Sequence, residues 1–338
     1  MKRLTIADIA DAAGVSTGAV SYALNGKPGV SAATRERVLQ IADSMGWRPS
    51  TAARALTRAR TGTIGLIVDR PAQVLGIEPF FMQLVSGIEA ALKADPSTAL
   101  MLAVTDDRDT EVETYRRWWA ERRVDGVIVV DLNDNDLRTG LLAEIGLPAV
   151  ALGYPQSRDL PCVWSDDGPP TEEVVGYLAA LGHRRIARVA GPVALSHTLR
   201  RDEAFTRAAQ THQLEWSKTL HADYSGDSGA RAARRLLSER NRATAIIFDN
   251  DVMALAAMAA AQEMGISVPE ELSILSWDDS ALCQLVRPAV TALDRHITQH
   301  GVLSIETLND VLETGTAEHR QAPPPVLMPR ASTSRAPR

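Results

Sequence analysis

Residues 5–26, TIADIADAAGVSTGAVSYALNG, contain two short helix patterns separated by a tight turn. Thr5 stands where a helix N-cap belongs, Asp8 follows three residues later as a capping-box acid would, and Gly14 predicts the end of the helix. Ser16 predicts the start of the second helix, which covers the sequence TGAVSYALN. Two short helices joined by a glycine-containing turn of three or four residues form a helix-turn-helix.

Gly18 lies inside the second predicted helix, where a glycine costs roughly 1 kcal/mol relative to alanine. The helical spacing turns one set of residues outward, namely Thr17, Gly18, Ser21 and Tyr22. The second helix of a helix-turn-helix enters the DNA major groove with its N-terminal residues nearest the base edges. A missing side chain on this face lets the DNA approach closely; the alternative is a surface glycine that tertiary packing holds in the helix.

A third helix and a short polar segment follow. Ser31 predicts the N-cap of a helix over AATRERVLQIADSMGW, and Pro49 ends it. The segment STAARALTRART is rich in alanine and arginine and too short to fold alone, so it forms a helix only when something holds it.

Charge is distributed unevenly along the 338 residues, whose net charge is −6. Residues 1–60 carry nine Lys and Arg against four Asp and Glu, a net charge of +5, so the remainder carries −11. A small basic segment on an acidic body indicates a polyanionic partner for that segment alone.

Composition excludes several classes of protein. There is no apolar run of 18 residues to span a membrane, and the N-terminal sequence reaches polar residues too soon for a signal peptide. Two cysteines, Cys162 and Cys283, make a disulfide framework improbable and fit a reducing cytoplasm. No nucleotide-binding or nucleophile-elbow motif and no spaced Cys/His set occurs, so we expect no catalytic residues, no metal and no cofactor.

From residue 62 onward, short apolar runs alternate with helical segments. The predicted strands are TIGLIV (63–68), ALMLAV (99–104), DGVIVV (125–130), PAVAL (148–152), RIARVAG (185–191), HADYSG (221–226), TAIIFD (244–249) and LSILSWD (272–278). Fully apolar strands between helices predict parallel sheets covered on both faces. We therefore predict a body of two doubly wound α/β lobes in tandem, with a ligand in the cleft at the strand carboxyl ends.

Polar side chains follow several of these strands. Asn250 directly follows TAIIFD, Asp278 follows SILSW, and Arg201 lies in SHTLRRDEAF after the strand RIARVAG. For any one of them, a helix N-cap or a surface charge is the commoner interpretation. Together, a guanidinium fork, an amide and a carboxylate suit the hydroxyl groups of a polyol. Trp164 and Trp277 either stack on a sugar face or only fill space.

The N-terminal residues resemble the DNA-binding head of the LacI/GalR family of bacterial transcription repressors. TIADIADAAGVSTGAVSYALNG, VSAATRERV and WRPSTAARAL match nearly every fixed position of the family pattern over about 55 residues. The resemblance extends to the body through IGLIV, VDGVIVV, LGHRRIARVAG, AIIFDNDVMALAAM and LMPRAST, which are similar to the family's periplasmic-binding-protein-like core. Departures include Ala19 for a usual Thr, Trp47 for Tyr, Ser50 for Asn and Thr57 for Lys.

The resemblance implies roles for residues of the head. Thr17, Gly18 and Tyr22 occupy positions that read bases, and Ser16 and Ser21 occupy positions that usually contact phosphate. The predicted DNA-contacting set is Thr5, Ser16, Thr17, Gly18, Ser21, Tyr22, Arg54 and Leu56. The last two lie on a hinge helix that, in the family, becomes ordered on DNA and wedges a leucine into the minor groove.

The resemblance also implies an effector site and a mode of assembly. The implied effector-binding residues are Phe81, Arg201, Asn250, Asp278 and Asp294, and the family's effector is usually a sugar and sometimes a purine. The loop 69–81 is longer than the family form, and Glu78 replaces a common Asn before proline. Two heads on a two-fold axis imply a homodimer on a pseudo-palindromic operator in double-stranded DNA.

The sequence thus predicts an α/β protein with a helix-turn-helix head (1–48), a hinge (49–61) and an effector-binding, dimerising body (62–338). The predicted function is a cytoplasmic DNA-binding regulator, most simply a repressor, that responds to a sugar and makes no contact with a membrane. A transport-type sugar-binding protein and an α/β enzyme are the alternatives. The basic head argues against the first, and the absence of catalytic motifs argues against the second.

Overall fold

The computed structural model describes residues 4–47, 60–70, 75–156 and 159–337. The chain divides into two compact units, Met1–Thr61 and Gly62–Arg338, which we call the head and the body. Arg54, Leu56 and nearly all of the hinge 49–61 lie outside the described residues, as do residues 71–74 of the long loop. The roles predicted for them therefore stay predictions.

The head contains three helices, α1 (Ile6–Ala13), α2 (Thr17–Leu24) and α3 (Ala32–Ser44). Thr5 forms a reciprocal capping box with Asp8, whose carboxylate accepts the Thr5 backbone N–H at 2.7 Å. Ser16 and Ser31 cap the next two helices, so all three predicted N-caps are confirmed. One apolar cluster holds the helices together, and its buried members are Ile9, Ala10, Ala13, Val20, Ala23, Val38, Ala42 and Trp47.

The body contains two six-stranded sheets that define its two lobes. Lobe 1 contains β1 (Thr63–Asp69), β2 (Ala99–Thr105), β3 (Gly126–Val129), β4 (Ala149–Leu152), β5 (Cys162–Trp164) and β11 (Arg320–Gln321). Lobe 2 contains β6 (Arg185–Ala190), β7 (Trp216–His221), β8 (Ala245–Phe248), β9 (Ser273–Ser276), β10 (Thr291–Asp294) and β12 (Val326–Met328). The predicted fold class is confirmed.

Both sheets are wound in the same way. Their orders are β11-β5-β4-β3-β1-β2 and β12-β10-β9-β8-β6-β7, and every pairing is parallel except that of β10 with β12. The first strand of each lobe therefore lies between the second and the third. After β1 the polypeptide continues on one face of its sheet, and after β3 it continues on the other face. The polypeptide does the same after β6 and β8 in lobe 2. This reversal opens a crevice at the carboxyl ends of these strands.

Helices cover the sheets. They are α4 (Pro79–Leu92), α5 (Arg108–Ala120), α6 (Leu137–Ile145), α7 (Gly168–Ala180), α8 (Ser196–Thr211), α9 (Gly226–Leu237), α10 (Asp251–Glu263), α11 (Ala281–Leu285) and α12 (Ile297–Thr314). None of the helices within the described ranges is long and apolar enough to cross a membrane.

Two features of the predicted body are wrong. The lobes are not consecutive, because α12 and β11 return to lobe 1 after β10 and the chain then crosses back to form β12. The strand predicted at 221–226 lies instead at 216–221. This edge strand is half-exposed and polar in sequence (WSKTLH), so it carries no apolar run to mark it.

Helices α4 and α12 cross at unusually short range. A Cβ on Gly87 would clash with the carbonyl oxygen of Thr298, and one on Gly301 would lie 2.7 Å from the backbone nitrogen of Ile88. Glycine is therefore required at both positions of the crossing. The contact closes the apolar layer in which α12 covers the sheet of lobe 1 through Ile305 and Leu308.

Replacing Gly87 with alanine should lower the free energy of unfolding by about 1–3 kcal/mol, because one methyl group forces the two backbones apart. The matched control is Gly140→Ala in α6, where an added Cβ meets nothing within 4 Å. That change should raise stability by up to about 1 kcal/mol through helix propensity. Urea unfolding of both variants measures the difference. If both substitutions changed the free energy of unfolding equally, α4 and α12 would not require glycine at Gly87 for their close contact.

Candidate functional site

A cavity of about 80 Å³ lies between the two lobes of the body, at the carboxyl ends of the strands. The residue after β1 (Arg70) and the residues near the ends of β3 and β9 (Asp131 and Asp278) line it from the two sheets. The N-terminal parts of α4 and α8 also line it. This is the position predicted for a ligand from the strand pattern.

Three of the five predicted effector residues line this cavity: Phe81, Arg201 and Asp278. Asn250 and Asp294 do not. Asn250 is fully buried and caps α10: its Oδ1 accepts the Met253 N–H at 2.9 Å and its Nδ2 donates to the Tyr224 carbonyl at 3.0 Å. Asp294 accepts the His296 N–H at 2.9 Å. A ligand contact by these two residues remains a prediction.

Several ionisable residues line the cavity without having been assigned to it from the sequence, among them Arg70, Glu78, Asp131, Asp167 and Asp249. Arg70, Asp131 and Asp249 each stand one or two residues past the end of a strand, so the strand-end signal that found Asp278 was present for them too. Asp167 lies in the first crossing between the lobes, before α7, and no local signal marks it.

Arg201 is buried and held by two carboxylates. Its Nε donates to Asp167 Oδ2 at 3.2 Å, its Nη1 lies 3.7 Å from Asp249 Oδ2, and its guanidinium carbon lies 4.3 Å from the ring centre of Trp277. Within the described ranges, Arg201 Nη2 and Asp167 Oδ1 are buried and have no hydrogen-bond partner. At the cavity wall, among the residues that the structure describes, the Arg201 guanidinium thus has an N–H donor without an acceptor, and the Asp167 carboxylate has an oxygen without a donor.

Aromatic rings form another part of the wall. Tyr154 and Trp164 meet edge to face with ring centres 4.9 Å apart, and Phe80 and Phe81 do so at 5.1 Å. The Arg200 guanidinium carbon lies 3.3 Å from the centre of the Tyr154 ring. Of the two tryptophans whose role was open, Trp164 lines the cavity, whereas Trp277 is fully buried in the core of lobe 2 beneath Arg201.

Two further arginines of the cavity are paired with carboxylates. Arg70 Nη2 lies 2.8 Å from Asp131 Oδ2, and Arg295 Nη1 lies 2.7 Å from Asp278 Oδ1. Burial, together with the charges of Arg201 and Arg295, holds the pKa of His197 well below its usual range, so its ring is neutral at pH 7. His197 Nε2 is hydrogen-bonded to the Tyr224 hydroxyl at 2.7 Å.

Glu78 is a buried acid at the entrance to α4. Burial raises its pKa to about 8; Arg70 opposes this shift, whereas Asp131, Asp278 and Asp251 add to it. Its Oε2 lies 3.7 Å from Arg70 Nε. At pH 7 this carboxyl is therefore mostly protonated, because a negative charge there would be buried away from water and would also face three other carboxylates.

The stability of the body should depend on the ionisation of Glu78. Its native pKa of about 8 lies above the ordinary value of 4.5, so the native state binds the proton more tightly and the free energy of unfolding falls as pH rises between those values. The stability advantage of Glu78→Gln over the wild type should therefore grow by roughly 2–3 kcal/mol between pH 6 and pH 8. Urea unfolding measures it.

The control for this comparison is Glu89→Gln, which changes an exposed glutamate on the same helix. Its pH profile should run parallel to that of the wild type. A parallel profile for Glu78→Gln as well would show that Glu78 ionises normally.

In the head, the predicted DNA-contacting face of α2 is open. Thr17, Gly18 and Tyr22 are exposed, and Ser21 is half-buried. A Cβ on Gly18 would meet only Ser16 Oγ, at 3.9 Å, so packing within the head does not require this glycine. Ser16 Oγ itself accepts the Ala19 N–H at 3.2 Å as the helix cap.

Tyr22 is positioned by the loop after α2. A Cβ on Gly29 would lie 3.1 Å from the Tyr22 ring, and Gly29 has a φ of +113°. The absence of a side chain at Gly29 therefore leaves room for the ring against this loop, while 47% of Tyr22 remains exposed. The exposed part of Tyr22 is available to a partner.

Known families match both units. Residues 5–50 match the model for bacterial regulatory proteins of the lacI family, and residues 175–333 match a periplasmic binding protein-like domain. The chain is 33% identical over 300 residues to the HTH-type transcriptional regulator CelR of Thermobifida fusca, with 87% of each chain covered.

Two solved structures resemble the whole chain. The CelR–cellobiose complex matches with a TM-score of 0.74 at 29% identity, covering 98% of this chain and 100% of that one. The lac repressor dimer bound to operator and the anti-inducer ONPF matches with a TM-score of 0.84 at 26% identity and the same coverage. The chain therefore belongs to the lacI family of bacterial regulatory proteins and is a DNA-binding transcriptional regulator.

Proposed function

We propose that this regulator is a dimeric repressor whose head binds a pseudo-palindromic operator and whose body binds an uncharged sugar in the cavity between its lobes. The observation that carries the sugar assignment is the unpartnered pair Arg201 Nη2 and Asp167 Oδ1. A sugar hydroxyl both accepts and donates a hydrogen bond, so the hydroxyl groups of a sugar can satisfy both atoms.

The aromatic part of the wall supports the same ligand class. Tyr154 and Trp164 present rings to a cavity whose other side is polar, and sugars combine apolar C–H faces with a hydroxyl rim. The relative CelR was solved with cellobiose, which makes cellobiose the first sugar to test.

The charge balance of the cavity disfavours a phosphorylated ligand. Arg70, Arg201 and Arg295 each have a carboxylate partner, and Arg200 is stacked on Tyr154. A phosphate that contacted Arg70, Arg201 or Arg295 would have to displace a carboxylate, whereas a neutral sugar adds hydrogen bonds without breaking an ion pair.

Regulation would follow from unequal binding of the sugar to two states of the body. A ligand that contacts both lobes stabilises the closed cleft, and this preference shifts the equilibrium of any segment coupled to cleft closure. The predicted hinge 49–61 would be that segment, and a two-fold pair of heads would match a pseudo-palindrome. The protein would act in the cytoplasm, where its operator lies, and by binding rather than by turnover.

Thermal unfolding in the presence of single compounds tests the ligand class. Cellobiose and other mono- and disaccharides are compared with sugar phosphates and purines at equal concentration. A sugar that raises the midpoint by several degrees supports the proposal, because a ligand that binds only the native state stabilises it by mass action. Stabilisation by purines or sugar phosphates alone would overturn the sugar assignment.

Arg201→Lys should weaken binding of the stabilising sugar at least tenfold, because lysine keeps the charge but loses the fork that meets Asp167 and Asp249. Operator affinity in the absence of sugar should not change. The control is Arg207→Lys, an exposed position on the same helix. Calorimetry gives the sugar affinity and fluorescence anisotropy gives the operator affinity. Unchanged sugar affinity in Arg201→Lys would remove Arg201 from the site.

Gly18→Ala should stabilise the head by up to about 1 kcal/mol, because the added methyl group meets open space and improves helix propensity. The same variant should bind operator about tenfold more weakly if DNA occupies that space. The slope of affinity against salt concentration should not change, since no phosphate contact is removed. Greater stability with unchanged operator affinity would identify Gly18 as a tolerated surface glycine.

A further inference from the structure

Arg188 is a charged residue in the interior of lobe 2. It lies in the middle of β6, between the apolar residues Ala187 and Val189, and its exposed fraction is 0%. A buried guanidinium costs several kcal/mol in desolvation unless it is paired and hydrogen-bonded. Arg188 is not among the residues that line the cavity, so a direct contact with ligand does not explain it.

Its guanidinium spans two structural elements. Nε donates to Asp249 Oδ1 at 2.8 Å and Nη2 donates to Asp249 Oδ2 at 2.6 Å, which is a bidentate pair at the end of β8. Nη1 donates to Asp202 Oδ1 on α8. Arg188 therefore links α8 to the end of β8 through ion pairs. This link lies where the chain leaves β6 and β8 toward opposite faces of the sheet.

The two residues that Arg188 holds are neighbours of the candidate sugar site. Asp202 directly follows Arg201 on α8, and Asp249 lines the cavity 3.7 Å from Arg201 Nη1. Arg188 and Arg201 hold the pKa of Asp249 below its usual range although burial raises it, and the Gly191 N–H adds a hydrogen bond at 3.2 Å. Asp249 therefore remains a carboxylate beside the guanidinium that faces the ligand.

We propose that Arg188 is a positioning residue of the effector site: by bracing α8 against the end of β8, it fixes the orientation of Arg201 and Asp249 toward the bound sugar. This inference rests on the proposed function for the identity of the ligand. The effect of Arg188 on the orientation of Arg201 does not depend on that identity. The brace requires the planar fork of arginine, because a lysine ammonium cannot meet both oxygens of Asp249 and one of Asp202 in the same arrangement.

The decisive variant is Arg188→Lys in the full-length protein, with Arg185→Lys as the control. Arg185 begins the same strand at the end away from the cavity and donates through Nε to the Arg242 carbonyl at 3.0 Å. Cellobiose is titrated by calorimetry into the wild type and both variants. We expect Arg188→Lys to bind cellobiose about tenfold more weakly or worse, and Arg185→Lys to match the wild type.

A second measurement does not depend on any sugar. Selective ¹⁵N-arginine labelling reports the solvent exchange of the Arg201 Nε–H, which is hydrogen-bonded to Asp167 in the buried site. The signal is assigned by its loss in Arg201→Lys. We expect slow exchange in the wild type and in Arg185→Lys, and exchange faster by a factor of ten or more in Arg188→Lys, because Arg201 loses its fixed orientation.

Asp202→Ala keeps the inference testable if Arg188→Lys does not fold. Asp202 is partly exposed and does not line the cavity. Its replacement by alanine removes the ion pair that links Arg188 to α8. Weaker cellobiose binding and faster Arg201 exchange in this variant support the brace. Unchanged affinity and unchanged exchange in whichever variant folds would overturn it. Failure of the wild type to bind cellobiose counts only against cellobiose as the sugar, and the solvent exchange of the Arg201 Nε–H then decides whether Arg188 positions Arg201.

Discussion

Buried charge is the constraint around which the body is organised. The crevice between the lobes lies at the carboxyl ends of both sheets, and the residues there include arginines and carboxylates that are almost completely removed from water. An unpaired ion in such a place costs several kcal/mol, so each cation has to meet an anion before the lobes can pack. Arg138, buried away from the cavity, shows the same rule: it bridges Glu111 on α5 and Asp136 before α6 at 2.6 and 2.7 Å. Ion pairs thus determine which loops and helices lie side by side.

This pairing also explains the chemistry of the cavity. Three arginines are already neutralised by carboxylates, His197 is uncharged, and Glu78 is mostly protonated at pH 7. The wall therefore offers a ligand hydrogen-bonding groups beside aromatic faces. It carries little net charge. A polyhydroxylated neutral molecule fits that description better than an anion does.

The sequence predicted the parts of the fold that depend on local pattern. The three helix caps of the head and most of the apolar strands were correct, because capping residues and continuous apolar runs are local signals. Strand β7 was misplaced because a half-exposed edge strand has polar positions, and the return of α12 to lobe 1 has no local signature.

In the cavity, Phe81, Arg201 and Asp278 were found from strand ends and family resemblance. Asp167 and the role of Arg188 were not, because an ion pair between residues 34 or 61 positions apart depends on tertiary structure. The resemblance to the lacI family is confirmed over the length of the chain.

The return of α12 to lobe 1 has a consequence for how the chain folds during synthesis. The sheet of lobe 1 is complete in its first five strands by Trp164, but the helix that covers one of its faces begins only at Ile297. Until that helix leaves the ribosome, the apolar side chains of β3, β4 and β5 on that face have no cover, although lobe 2 already has most of its own strands. Lobe 1 is made first, yet its core is completed only after most strands of lobe 2 have been made, so the nascent protein exposes an apolar surface for much of its translation.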